Sequence, residues 1–139
     1  MERTILFRGI IKYPDDIFKG FLYGNLIIYA NGDTFIRQIE TGQEFEVITE
    51  TVGEFTGFTD KNSVKVFSDD LLKDGKEDVF RVYQIAGGFC VKSSVWKTGT
   101  KEWIRSDILI AASLTDAQMQ SYISESCEVI GNIHDKHVL

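Results

Sequence analysis

Reactive chemistry has few places to start in this chain. Its two histidines, His134 and His137, both fall within the last six residues, with Asp135 between them. A zinc site needs three or four converging donors, and a terminal tail seldom holds them, so both read as solvated tail residues. That placement also removes the commonest general base from any internal site. Adjacent acids occur at Asp15-Asp16 and Asp69-Asp70. Neighbours on an extended segment point to opposite faces, which suits turns and caps better than a shared proton or cation. Cys90 and Cys127 have no histidine near them in sequence, and buried free thiols are expected of both. The sequence contains no phosphate loop ending in Lys-Ser or Lys-Thr, no Gly-x-Ser-x-Gly elbow and no dinucleotide fingerprint. Gly53-Glu54-Phe55-Thr56-Gly57 lies in a strand and turn context, where glycine serves backbone geometry. No catalytic residue, metal ligand or cofactor is therefore expected, and the chain reads as a non-enzyme.

The sharper grouping is Tyr83, Trp96 and Trp103 with Arg81, Lys92 and Arg105. Flat rings beside cations can stack on bases or on cation-bearing partners and also contact phosphates. Three plainer roles compete: a cross-strand tryptophan pair covering a hairpin, a face packed on the N-terminal half, or a subunit interface.

Whether these six residues meet depends on two turns. Gly87-Gly88 can join residues 79–86 to residues 89–96, and Gly99-Thr100 has glycine first, as a type II′ turn requires. The second turn sets Val95 opposite Ile104, Val91 opposite Ile108 and Phe89 opposite Ile110, while Lys92 meets Asp107 and Trp96 meets Trp103 on the other face. The first turn adds Phe80, Val82 and Ala86 to the apolar face and places Arg81 and Tyr83 opposite. A slip of one residue would exchange the two faces, so the agreement of both turns supports a three-stranded meander.

The rest of the chain supplies more strands. With 12 Gly against one Pro, and 10 Phe and 5 Tyr, the composition suits short strands joined by tight turns. Residues 4–11 read as a strand, followed by a polar loop at Pro14-Asp15-Asp16. Residues 22–30 and 33–39 flank Asn31-Gly32, a type I′ signal that sets Ile28 opposite Phe35 and Ile27 opposite Ile36. Shorter extended pieces follow at 45–49, 54–58 and 64–72. One helix is expected at 115–126, capped by Thr115 with Gln118 at its third position, and a last strand at 127–133. The expected fold is mainly β (α+β in the strict sense), with short antiparallel strands forming one or two small barrels or bent sheets. The expected division is an N-terminal hairpin region, 1–57, and a barrel domain with the helix, 58–139, which can also form one compact unit.

A net charge of −6 disfavours general affinity for nucleic acid or anionic membrane, because phosphate binding draws on clustered cations. From residue 38 to residue 59 the chain carries Glu40, Glu44, Glu46, Glu50 and Glu54 and no Lys or Arg, which reads as a solvated strand face. No stretch near the start is apolar for long enough to be a signal peptide or a membrane span, so a cytoplasmic protein is expected.

Four blocks, in order along nearly the whole chain, resemble the YopX family of phage and prophage proteins. They are Phe7-Arg8-Gly9, the run Phe21-Leu22-Tyr23-Gly24-Asn25-Leu26, the run from Glu50 through Gly53-Glu54-Phe55-Thr56-Gly57 to Asp60-Lys61-Asn62, and Glu128-Val129-Ile130-Gly131-Asn132-Ile133-His134-Asp135. Two places depart from the family pattern: Ser63 replaces a glycine, and Ser68-Asp69 stand where Glu-Gly is usual. The resemblance implies an SH3-like β-barrel in the second half and a phage-linked cytoplasmic protein. It implies no catalytic residues. The sequence therefore points to a binding or assembly module that uses Tyr83, Trp96 and Trp103 toward a protein partner or toward copies of itself. The competing expectation is a single-stranded nucleic-acid binder using the same rings with Arg81, Lys92 and Arg105.

Overall fold

The computed structural model describes residues 4–75, 79–85, 88–97, 102–105, 112–113 and 117–134; for 85, 90, 92–97, 102–105, 112–113 and 117–119 it describes the backbone. The chain divides into two compact units, Met1–Gly57 and Phe58–Leu139.

The first unit is an antiparallel sheet. Its strands are β1 (Phe7–Ile10), β2 (Phe21–Ile28), β3 (Thr34–Arg37), β4 (Glu44–Glu46) and β5 (Gly53–Thr59), in the order β4-β3-β2-β1-β5. Ile11, Leu22, Ile36 and Val47 form its buried core, with Phe7, Phe18, Leu26 and Phe45 packed against them. The pattern follows from alternation, since Leu22, Gly24 and Leu26 fall on one face of β2. Gly24 marks a close approach: a Cβ there would stand 2.0 Å from the carbonyl oxygen of Arg37.

The hairpin between β2 and β3 differs from expectation. Leu26 pairs with Ile36 and Ile27 with Phe35, one residue away from the register that a two-residue turn would give. The Gly32 N–H donates to the Tyr29 carbonyl at 2.9 Å, and the Tyr29 N–H to the Asp33 carbonyl at 2.9 Å. This is a three-residue loop in which Gly32 alone takes positive φ, 91°. Asn31 avoids the left-handed region and uses its side chain on Asp33, accepting from its N–H and donating to its carboxylate, both at 2.9 Å. The one-residue difference is what puts Ile36 on the face of Leu22 and Leu26, where it is buried.

In the second unit β6 (Lys65–Phe67) is next to β5 in sheet order. It is followed by β7 (Asp70–Lys73), β8 (Val79–Ile85), β9 (Gly88–Lys97), β10 (Glu102–Arg105), β11 (Ala112–Ser113), α1 (Ala117–Ser126) and β12 (Glu128–Asn132). The main sheet runs β10-β9-β8-β7-β12, all antiparallel, with β11 also on β9. The fold is thus mainly β with one short helix. Among the described residues this sheet does not close into the expected ring. Thr115, expected to cap the helix, lies outside the described residues. Val66, Leu72, Val82, Phe89, Val91, Ile123 and Cys127 form the core, with Phe58, Phe80, Tyr122 and Val129 packed on it.

Carboxylates fasten the turns of this unit. Asp60, only 3% exposed, accepts from the N–H groups of Asn62 at 2.8 Å, Val64 at 2.9 Å and Val129 at 2.9 Å. One side chain therefore closes a turn and ties it to β12. Asp70 accepts from the Phe67 N–H at 2.7 Å. Asp15, in the first unit, likewise accepts from the Ile17 and Phe18 N–H groups, at 2.8 and 2.6 Å. Asp69 lies in the turn before β7, and Asp70 opens β7 while its carboxylate caps that turn.

Ser63 and Asp69 have φ of 64° and 70°, left-handed values unfavourable for most side chains. They stand at the two positions where the sequence departs from glycine in the resembled pattern. The backbone shape is kept there without the residue that most easily adopts it.

Candidate interaction face

The strand register decides which of the six candidate residues share a face, because directly paired residues in antiparallel strands project to the same side. Arg81 pairs with Lys92, Tyr83 with Cys90, and Val82, between them, with Val91. Trp103 pairs with Trp96 and Arg105 with Ser94. Residues 90, 92, 94 and 96 alternate with the buried Phe89 and Val91 on β9, so the register puts the positions of Arg81, Tyr83, Lys92, Trp96, Trp103 and Arg105 on one side of the sheet. The side chains of Lys92, Trp96, Trp103 and Arg105 lie outside the described ones.

Two details of the expected meander change. Ile85 pairs with Gly88, where the expected turn would set Ala86 opposite Phe89. The shift along the ladder is two positions, an even number, and each residue keeps its face. It also sets Val82 against Val91, burying an aliphatic pair where the expected register would place Ser93. On the far side of β9, Val95 pairs with Ile104, but Val91, four positions back, pairs with Ala112, eight positions on. Val91 is therefore paired with Ala112 and not with the expected Ile108, which lies outside the described residues. Ser106-Asp107, poor strand residues, follow directly on β10 in the sequence. The expected partners Ile110 of Phe89 and Asp107 of Lys92 lie outside the described residues.

Arg81 and Tyr83 can be followed in full. The guanidinium carbon lies 4.3 Å from the centroid of the Tyr83 ring, a cation–π contact. The same guanidinium donates from Nη2 to Asp69 Oδ1 at 2.9 Å, and both side chains are partly buried. His134 Nε2 stands 3.5 Å from the other carboxylate oxygen of Asp69. The sequence reading missed this cluster. Asp69 carried only a turn signal, and His134, expected in a frayed tail, is half-buried just past β12, its N–H donating to Asn132 Oδ1 at 2.8 Å. His137 lies outside the described residues.

The cysteine chemistry also becomes clear. Cys127 is free and buried. Burial, and next the nearby charge of Asp74, push its thiol up from the ordinary 9.0 to about 11, with a hydrogen bond to Tyr122 acting the other way. The Tyr122 hydroxyl donates to Asp74. A nucleophilic cysteine needs the opposite displacement, so Cys127 is a core residue. Among the described residues no group of three or more His, Cys, Asp or Glu could hold a metal ion. No helix among them is long and apolar enough to cross a membrane.

With that geometry in place, comparison with family models gives one result: the model described as YopX protein matches residues 6–139. The chain belongs to the YopX family. No match was found among curated proteins. The structure explains several blocks that carry the YopX pattern: Gly24 permits a close backbone approach, and Asp60 closes the turn that follows the central run. These are structural duties.

Proposed function

We propose that this YopX-family chain is a non-enzymatic binding or assembly module. It works in the cytoplasm of a phage-carrying bacterium, and an SH3-like β scaffold presents Tyr83, Trp96 and Trp103 to a protein surface, by default that of a second copy. The observation that supports this most is the register of β8, β9 and β10, which aligns the six candidate positions on one side while Val82, Phe89 and Val91 fill the core on the other. Aromatic residues concentrated on one side of a sheet mark contact surfaces.

The runner-up is a single-stranded nucleic-acid binder using the same rings. One observation weighs against it: Arg81 is already paired with Asp69, which removes a cation from the phosphate-binding set. Light scattering across a range of protein concentrations tests the leading reading. Wild type should gain mass as concentration rises, and a Trp96→Ala, Trp103→Ala variant should remain monomeric. Equal association by both proteins would sink it. Salt separates the alternatives, since phosphate contacts weaken steeply as salt rises whereas an apolar protein interface changes little.

A further inference from the structure

Asp69 does more than turn the chain between β6 and β7. Its N–H donates to the Val82 carbonyl at 2.7 Å and its carbonyl accepts from the Ile133 N–H at 3.0 Å, so its backbone is fixed to β8 on one side and to the residue after β12 on the other. Its φ of 70° aims the carboxylate from a position that a right-handed residue would not reach. One carboxylate oxygen takes the Arg81 guanidinium at 2.9 Å and the other faces His134 Nε2 at 3.5 Å. Arg81 is thereby held over the Tyr83 ring, 4.3 Å from its centroid.

We infer that Asp69 is the specificity-determining residue of this face. By pairing with Arg81 and holding it against Tyr83, it makes the surface reject a phosphate chain. The inference rests on the reading of that face as a contact surface. It assigns a definite job to a residue that does not itself meet the partner. A free Arg81, beside Lys92 and near the aromatic positions, would be the cation a single strand of nucleic acid needs. Paired with Asp69, it has its charge balanced, and the pair is net neutral.

The test uses the full chain with Asp69→Asn and Asp69→Gly, both of which suit the left-handed backbone. Two readouts are needed: the Arg81 Nε–H signal by nuclear magnetic resonance, assigned with Arg81→Lys, and anisotropy of a labelled single-stranded oligothymidylate. Wild type should show a distinct, slowly exchanging Arg81 signal and little binding. Both variants should lose that signal and bind the oligonucleotide at least about tenfold tighter at low salt, with the gain vanishing at high salt. An Arg81 signal unchanged in both variants overturns the inference, as does a released Arg81 with no gain in binding. Adding Trp96→Ala and Trp103→Ala to Asp69→Asn tells the two ideas apart. A gain that disappears supports both, while a gain that persists leaves Asp69 in control of Arg81 and removes the aromatic face as the working surface.

Discussion

The two units use acidic side chains in opposite ways. In the first, Glu44 and Glu46 lie on the sheet surface and pair with other surface groups: Glu44 with Arg37 at 2.7 Å and with the Tyr29 hydroxyl at 2.5 Å, Glu46 with Lys12 at 3.1 Å. In the second, Asp60, Asp70 and Asp74 are buried, with Asp60 accepting from three backbone N–H groups and Asp70 from one. Water and counter-ions can replace a partner lost at the surface, but nothing replaces one lost inside. The acid run of the first unit is therefore a property of the surface, and the scattered aspartates of the second are part of the fold.

The largest effect that contrast predicts is at Asp60. Asp60→Ala leaves the Asn62, Val64 and Val129 N–H groups without their shared acceptor and should cost about 3 kcal/mol in urea denaturation. Asp60→Asn keeps one oxygen and should cost about half of that. A loss below about 1 kcal/mol for the alanine variant would put Asp60 in the same class as the surface acids and break the comparison.

Next comes Cys127, whose raised pKa reports the acid-lined interior. The folded state holds the thiol proton more tightly, so the stability it contributes is complete below pH 9.0 and is lost as pH rises through about 11. At pH 8 its alkylation by iodoacetamide should be at least about a hundredfold slower in the folded chain than in urea. Equal rates would mean that the interior around Asp74 is open to water.

Smaller still is Ser63→Gly, which relieves a left-handed serine and should stabilise the second unit by roughly 0.5 to 1 kcal/mol. Destabilisation would show that the serine hydroxyl contributes something the backbone strain conceals. The smallest effect is predicted for Glu44→Gln in the first unit. The unfolding midpoint should not move, yet the Tyr29 hydroxyl, held above its ordinary 10.0 chiefly by its hydrogen bond to Glu44, should titrate at a lower pH. A shift in midpoint as large as that of Asp60→Asn would erase the distinction between the units.

Parity explains how much was legible in the sequence. The ladder set by Gly99-Thr100 has the expected register, with Trp96 opposite Trp103, while those at Asn31-Gly32 and Gly87-Gly88 are shifted, with different consequences. Around residues 86–87 the ladder moved by two and every residue kept its face, so Val82, Phe89 and Val91 were identified as inward and Arg81 and Tyr83 as opposite them. Around Asn31-Gly32 it moved by one, and the expected pairing of Ile27 with Ile36 gave way to Leu26 with Ile36. A turn motif names the glycine, not the number of residues in the loop, and only the packed core chooses between them. The cluster at Asp69 was hidden for another reason. Its members come from a turn, a strand and the end of β12, and no spacing along the chain announces that they meet.

The chain has two tryptophans, Trp96 and Trp103, so fluorescence excited at the red edge, where tyrosine does not absorb, reports on the proposed surface. The most direct measurement is acrylamide quenching of that fluorescence, followed together with light-scattering mass as protein concentration rises. The account predicts red, readily quenched emission from the monomer, shifting to blue and shielded emission in step with the increase in mass. Blue, shielded emission from the monomer at every concentration would place the indoles inside a single chain and contradict it.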